Sequence, residues 1–391
     1  ELRTRAGEFG ITVTDAQGYS TAEGADSTAL RDEAVAAAAD VDIAVVFAGL
    51  TDKEESEGFD RTHIDLPTEQ VELIQAVAKA APRTVVVLSN GGIVSVEGWH
   101  DEVDAIAEGF LLGQGGGAAI ADVLLGVVNP SGHLAESMPL RLEDNPSWIN
   151  FPGEQGTVRY GEGVMVGYRY YASAGIPVRY PFGHGLSYTT FETTALQVEV
   201  TGPDTAITRV TVANTGGHAG KHVVQVYVAT EAGRVRRPVR ELRAFTKVHL
   251  EPGETRTVEL ELGRRAFAYW DVTRDRWVVT GGAYAVEVCD NAHDVVASAA
   301  IELAGDALVK PLSLESSVSD WFTHPVVGPE LHTRMAAAMT ADQAAQASES
   351  ADMLKMVESM PMKQFMGFLP GIVTSELLQE LMELSRTVPG D

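Results

Sequence analysis

The chain has 391 residues, of which 45% are hydrophobic and 21% charged, the balance of a globular protein too long for one ordinary core. It contains no run of eighteen apolar residues, so we predict no membrane span. The formal net charge of −26 disfavours nucleic acid and anionic lipid as partners, because both carry negative charge themselves.

The one cysteine, Cys289, excludes an internal disulfide framework. It lies on a predicted strand, which favours a buried and inert thiol. Sparse cysteine and the lack of a signal-peptide pattern favour a cytoplasmic over a secreted location, although many secreted bacterial proteins lack disulfides too. The chain begins with Glu1 rather than Met, so the true N-terminus is not visible.

The first 150 residues alternate apolar runs with helical patterns. The runs at 41–50, 83–89 and 105–110 predict strands, and those at 68–81 and 118–125 predict helices. The strands are continuously apolar, which is typical of a sheet covered on both faces. We therefore predict a three-layer α/β sandwich domain over residues 1–150.

Residues 151–190 have little periodicity and many aromatic side chains. Such a composition does not suit a flexible linker, so we predict an ordered, extended connection.

From residue 191 the pattern becomes all-β, with short strands that alternate with period two and turns between them. Strands are predicted at 196–200, 208–212, 223–229, 255–262 and 283–289, with turns at 214–217 and 252–254. This pattern predicts a β-sandwich of immunoglobulin-like or fibronectin-III-like type over residues 191–304. The fold class is thus α/β followed by all-β.

Residues 305–391 predict a short helical C-terminal extension, with helical patterns at 329–348 and 354–384. We expect these helices to pack on another part of the molecule. Five methionines at helical spacing favour packing over metal ligation. They are Met353, Met356, Met360, Met362 and Met366.

No sequence pattern indicates a cofactor. The glycine cluster at 113–117 lacks the ending of a P-loop and the spacing of a dinucleotide fingerprint, so a tight strand-to-helix turn is the better interpretation. The histidines are scattered without metal-ligand spacing, and His184 is interpreted as structural. A Gly-x-Ser-x-Gly nucleophile motif is also lacking. We predict neither a cofactor nor a metal.

The loop at 54–63, Glu-Glu-Ser-Glu-Gly-Phe-Asp-Arg-Thr-His, leaves the end of the first predicted strand. Polar loops at strand ends are where open α/β folds carry their chemistry. From spacing alone, a solvated acidic loop is the alternative. A hydrolase that uses two carboxylates, one to protonate a leaving oxygen, remains open.

The same loop, with Asp65-Leu66-Pro67 after it, resembles the acid/base loop of glycoside hydrolase family 3 β-glucosidases. Further motifs of that family follow in order at 113–126, 129–134, 160–171 and 182–191. Residues 192–304 resemble the fibronectin-III-like domain of the family, including the stretches at 237–242 and 250–254. The chain thus resembles the C-terminal portion of such an enzyme.

The resemblance implies that Glu57 is the general acid/base. Glu55, Asp60 and Arg61 are implied to support the loop or to lie near the substrate, and for the Asp60-Arg61 pair we favour the supporting role. The reaction implied is retaining, exo-acting hydrolysis of a β-linked glucoside or related glycoside. The family draws its aspartate nucleophile from an N-terminal TIM-like barrel.

That barrel is not within these 391 residues, and the α/β domain lacks its first strand by comparison with the family. We therefore expect a barrel chain or fragment of the same enzyme as a partner, and leave a homo-oligomer open. The family's nucleophile motif is matched by Ser319-Asp320-Trp321, but in a different setting, so we interpret it as a coincidence with Trp321 packed in the tail. The alternative function is a non-catalytic carbohydrate-binding or scaffolding remnant.

Overall fold

The structure is a computed structural model that describes residues 1–22, 26–272, 274–306, 311–338, 357–369 and 371–386. The chain divides into two compact units, Glu1–Ala304 and Gly305–Asp391. The first unit combines an α/β part with an antiparallel β part, which confirms the predicted fold class.

The α/β part is built on three parallel strands in the order β1-β2-β3. Its elements are α1 (Leu2–Glu8), α2 (Thr28–Ala38), β1 (Ala44–Gly49), α3 (Thr68–Ala80), β2 (Thr84–Ser89), β3 (Ala105–Glu108) and α4 (Gly116–Leu124). Each predicted strand and helix of this part is present, with ends that differ by up to three residues. The glycine cluster forms the turn between β3 and α4, as predicted.

One face of this sheet packs on α3, whose Leu73, Ile74 and Val77 are buried against Val46 and Val86. The continuous apolar run of β1 predicts that both of its faces are buried. This is wrong at Phe47, whose side chain is 51% exposed. Adjacent strand residues point to opposite faces, so Phe47 faces away from the core in which Val46 is buried. In the described sheet β1 is also an edge strand.

The segment predicted as an extended connection contains a helix. It comprises α5 (Tyr168–Ala174) and β5 (Val178–Tyr180), and β5 pairs with β4 (Met138–Pro139). The prediction of an extended chain was therefore wrong at α5. Helix propensity of its aromatic residues is low, and packing decides instead: Tyr168 stacks on Phe182, and its hydroxyl accepts a hydrogen bond from the Leu242 amide at 2.9 Å.

The β part is a sandwich of two sheets with the orders β10-β7-β6 and β14-β13-β8-β9. Its elements are β6 (Phe191–Gly202), β7 (Thr205–Asn214), β8 (Gly220–Ala229), β9 (Glu241–Leu250), β10 (Thr255–Leu262), α6 (Arg264–Phe267), β11 (Tyr269–Asp271), β12 (Arg276–Val278), β13 (Gly282–Cys289) and β14 (Val295–Leu303). The five predicted strands are present, and β9, β11, β12 and β14 are additional. Val210, Val226 and Val286 lie in the shared core. Burial raises the pKa of the Cys289 thiol to about 12, as expected of an inert cysteine.

The second unit has a core of its own, formed by side chains that include Trp321, Leu331, Met362 and Leu378. Its described helices are α7 (Val318–Thr323), α8 (Val327–Ala338), α9 (Met362–Phe365) and α10 (Ser375–Arg386). Met360, Met362 and Met366 pack in this core. Met353, Met356 and the parts of the predicted helices at 339–348 and 354–356 lie outside the described residues.

Asp320 has a local structural role in this unit. Its carboxylate accepts a hydrogen bond from the Ser317 amide at 3.1 Å, and the Ser317 hydroxyl accepts one from the Asp320 amide. This reciprocal pair is a capping box that stabilises the first turn of α7. Trp321 is fully buried, so the tripeptide at 319–321 serves helix capping and packing.

Candidate active site

Three loops meet at the carboxyl edge of the parallel sheet, where open α/β folds bind ligands. They follow β1, β2 and β3. The loop after β1 is joined to the loop after β2 by a short parallel bridge, in which the Ser95 amide donates to the Ile64 carbonyl at 2.6 Å. At the start of the first loop, the buried Gln70 amide group both donates to and accepts from the Gly49 backbone at 2.8 Å. The loop with the predicted site residues is therefore fixed at both ends.

Glu57 occupies the tip of a tight turn within this loop. Ser56 and Phe59 form an antiparallel bridge across the turn, and the Gly58 amide donates to the Ser56 hydroxyl at 3.1 Å. The Glu57 side chain is exposed, and no hydrogen bond or ion pair to the described part of the chain holds its carboxylate. A carboxylate in this position is accessible to a molecule that approaches the turn.

Glu55, two residues earlier, is engaged differently. Its Oε2 accepts a hydrogen bond from the Gly91 amide and its Oε1 accepts one from the Gly92 amide, each at 2.5 Å. Glu54 also bonds locally, because its Oε2 accepts from the Thr51 amide at 2.7 Å and from the Thr51 hydroxyl. Of the three adjacent glutamates, only Glu57 is left with a carboxylate unbound by described residues.

Arg61 lies beneath the loop. Its Nη1 donates to the Ile93 carbonyl at 3.0 Å and lies 3.9 Å from Glu55 Oε1. Burial lowers the pKa of Arg61, and the carboxylates of Glu55 and Asp65 oppose that shift. Its Nη2 is buried without a partner among the described residues. The predicted supporting residues thus separate: Glu55 and Arg61 tie the loop to the chain after β2, whereas Asp60 is exposed without a described bond.

Glu108, at the end of β3, is a carboxylate at this edge that the sequence motifs did not single out. Burial raises its pKa, although hydrogen bonds from the Phe110 amide and the Asn90 side chain act in the opposite direction. Asn90 also donates to the Gly92 carbonyl at 2.8 Å. Glu108 is therefore linked through Asn90 to the glycine whose amide binds Glu55. Its place at the end of a parallel strand was the available sequence signal.

A cavity of about 520 Å³ lies at the base of the loop. Arg61, Ile64 and Ile93 line one part of it. Its other lining residues are Ala135, Glu136, Ser137, Pro139, Leu142, Asn145, Val166, Gly167, Tyr168, Arg169, Tyr171 and Phe182. The lining of the cavity thus comes from the loop after β1, from the loop after β2 and from the chain on both sides of residues 146–165.

The described residues offer neither a metal site nor a membrane span. No three His, Cys, Asp or Glu side chains there lie close enough to hold a metal ion. No helix in the same residues has the length and apolar character needed to cross a bilayer.

The sequence was compared with protein families and with known proteins. The Glycosyl hydrolase family 3 C-terminal domain matches residues 2–188, and the Fibronectin type III-like domain matches residues 222–292. An exo-α-(1→6)-L-arabinopyranosidase of Bifidobacterium longum is 43% identical over 93% of this chain and 47% of its own length. The thermostable β-glucosidase B of Acetivibrio thermocellus is 40% identical over 97% of this chain and 51% of its own.

Among solved structures, the family 3 β-glucosidase of Bifidobacterium adolescentis superposes with a TM-score of 0.81 at 44% identity, covering 85% of this chain and 49% of that one. The chain therefore spans about half the length of the relatives it matches. These matches confirm the resemblance predicted from the loop and the motifs that follow it. The chain belongs to glycoside hydrolase family 3 and carries the C-terminal and fibronectin type III-like domains of that family.

Proposed function

We propose that this chain supplies the general acid/base of a retaining, exo-acting β-glycosidase. The observation that carries the proposal is the contrast between two glutamates of one loop: Glu55 is clamped by backbone amides, and Glu57 projects from a turn with its carboxylate free. A fixed loop whose turn presents a free glutamate carboxylate suits proton transfer, which requires a positioned group within reach of the substrate.

The reaction would proceed in two steps. An aspartate of a barrel segment outside this chain attacks the anomeric carbon, while Glu57 protonates the departing glycosidic oxygen. Glu57 then removes a proton from water as that water attacks the glycosyl ester, which releases the sugar and restores both carboxyl groups. The two carboxyl groups of a retaining pair lie about 5–5.5 Å apart, so the barrel must approach the turn at Glu57 closely.

The substrate class we propose is a terminal β-linked glucoside or a related glycoside. Its support is the activity named for the relatives, which include a β-glucosidase and an arabinopyranosidase. We also propose a cytoplasmic location, for which the single, buried cysteine is the support.

The test is Glu57→Ala in the complete enzyme, this chain together with its barrel segment. We expect hydrolysis of cellobiose, which has a poor leaving group, to fall by roughly 10²–10⁴-fold. Hydrolysis of aryl glycosides with activated leaving groups should fall much less, because their departure needs no proton. Added azide should restore turnover by attacking the glycosyl-enzyme without base catalysis.

Glu69→Gln is the matched control, since Glu69 is an exposed glutamate in the first turn of α3. Full activity of Glu57→Ala on cellobiose would falsify the assignment and favour a non-catalytic carbohydrate-binding role.

A further inference from the structure

Residues 146–166 form a surface that nothing in the described chain covers. They contain no helix or strand, and residues 151–161 are all exposed. Seven large apolar side chains of this segment face solvent: Trp148, Ile149, Phe151, Val158, Tyr160, Val164 and Val166. Ile149 and Tyr160 are 88% and 82% exposed. Large exposed apolar patches mark interaction sites on soluble proteins, and these side chains all come from one stretch of the chain.

The hydrogen bonds of the segment are local. Each backbone bond described for residues 148–166 ends on another residue of 145–166, as in the Glu154–Thr157 pair and the bond from the Met165 amide to the Glu162 carbonyl. Among the described ion pairs, none involves a residue of 146–166. The segment thus folds on itself in turns, and the interactions within this chain do not explain why its apolar side chains point outward.

The position of the segment is set by its two ends. Asn145 and Val166 line the cavity that Arg61 and Ile64 also line. Both ends of the segment therefore lie beside the later part of the loop that carries Glu57.

The composition of the segment is that of a protein interface. Only Glu154, Arg159 and Glu162 are charged, in a chain whose net charge is −26. Depletion of charge combined with exposed Trp and Tyr is typical of the core of a protein–protein contact.

We propose that residues 146–166 are the docking surface for the polypeptide that carries the catalytic nucleophile. The inference rests on the proposed function: the nucleophile must come within about 5 Å of the Glu57 carboxyl group, and so must approach this side of the unit. The relatives are about twice as long as this chain, so a polypeptide large enough to cover the segment is part of each of them.

Hydrogen exchange tests the proposal directly. We expect the amides of residues 148–166 to exchange at least tenfold more slowly in the complete enzyme than in this chain alone. The exposed turn at 252–254 of the β-sandwich is the internal reference and should exchange equally in both. Equal rates for residues 148–166 in the two samples would overturn the proposal. Slowing that grows with the concentration of this chain alone would also overturn it, since the occupant would then be a second copy.

A double variant gives a second readout. Trp148→Ser with Tyr160→Ser removes two exposed side chains, so the circular dichroism of this chain should not change. The urea concentration that halves the activity of the complete enzyme should fall, because the contact that holds its two portions together is weakened. Phe245→Ser with Val272→Ser, two exposed side chains of the β-sandwich, is the matched control and should leave that concentration unchanged. An equal effect of both pairs contradicts the proposal.

The two proposals fail in distinguishable ways. If residues 148–166 are protected and Glu57→Ala is fully active, the docking proposal stands and the acid/base assignment of Glu57 is wrong. If Glu57→Ala is inactive and residues 148–166 exchange freely in the complete enzyme, the acid/base assignment stands and the docking proposal is wrong.

Discussion

The Glu55 carboxylate accepts hydrogen bonds from the Gly91 and Gly92 amides at 2.5 Å, and thereby ties the loop after β1 to the loop after β2. Hydrogen bonds from amides to an ionised carboxylate are stronger than those between neutral groups. This contact fixes the loop just before the turn that carries Glu57, whose own side chain remains free of described bonds.

The first prediction concerns the charge of Glu55. Glu55→Gln replaces one acceptor oxygen by a donor, so one of the two glycine amides loses its partner. Such a loss costs about 1–3 kcal/mol when the group is partly buried. We expect faster exchange of the Gly91 and Gly92 amides in this chain, and a lower kcat in the complete enzyme, because Glu57 is less well positioned. Glu69→Gln should change neither. Unchanged exchange at both glycines in Glu55→Gln would show that the Glu55 carboxylate does not hold these amides.

The second prediction concerns the space at Gly91. A Cβ atom at this position would lie 2.9 Å from Glu55 Oε2 and 3.0 Å from its Cδ, which is too close for real contacts. Gly91→Ala should therefore displace the Glu55 side chain and weaken the same clamp. Because both substitutions break one contact, Gly91→Ala should cost much less stability in a Glu55→Gln background than in the native chain. Additive losses of unfolding free energy would contradict this coupling.

The third prediction separates Asp60 from its neighbour. Arg61 donates to the Ile93 carbonyl, whereas Asp60 is exposed without a described bond. We expect Asp60→Asn to change the free energy of unfolding by less than about 0.5 kcal/mol, the range of ordinary surface substitutions. Urea denaturation of this chain measures it, with Arg61→Met as the destabilising comparison. A loss of unfolding free energy above about 1 kcal/mol, outside the range of surface substitutions, would show that Asp60 supports the loop.

The fourth prediction is a pH dependence that arises from Glu108. Burial raises the pKa of Glu108 in the folded chain, so the folded state holds its proton to higher pH than the unfolded state does. This group therefore stabilises the fold below its unfolded pKa, and the contribution is lost as pH rises through its folded pKa. Glu108→Gln cannot ionise and should therefore lose less stability than the native chain between pH 4 and pH 8. Parallel curves of unfolding free energy against pH for the two proteins would rule out this role of Glu108.

Much of the fold followed from local patterns. The apolar runs of β1, β2 and β3 and the period-two alternation of the sandwich are visible in the sequence because burial on a sheet leaves a regular pattern. The helix α5 was missed because its aromatic residues have low helix propensity, and because Tyr168 packs on Phe182 and bonds to Leu242, which are distant in sequence from one another. The separate core of the second unit was missed for the same reason: apolar spacing shows that a face is buried, not what covers it.

The sequence by itself determined the family, through the order of its motifs, and predicted a general acid/base in the loop at 54–63. Only the tertiary structure decided which of its glutamates is free, because three glutamates with the same chemistry stand within four residues of one another. The Gly91 and Gly92 amides, about 36 residues further along the chain, bind Glu55 and leave Glu57 exposed. Similarly, Asp320 lies in a tripeptide that matches a nucleophile motif, and its bond to Ser317 makes it a helix cap. A side chain's role depends on the groups that folding brings to it, and local sequence does not record them.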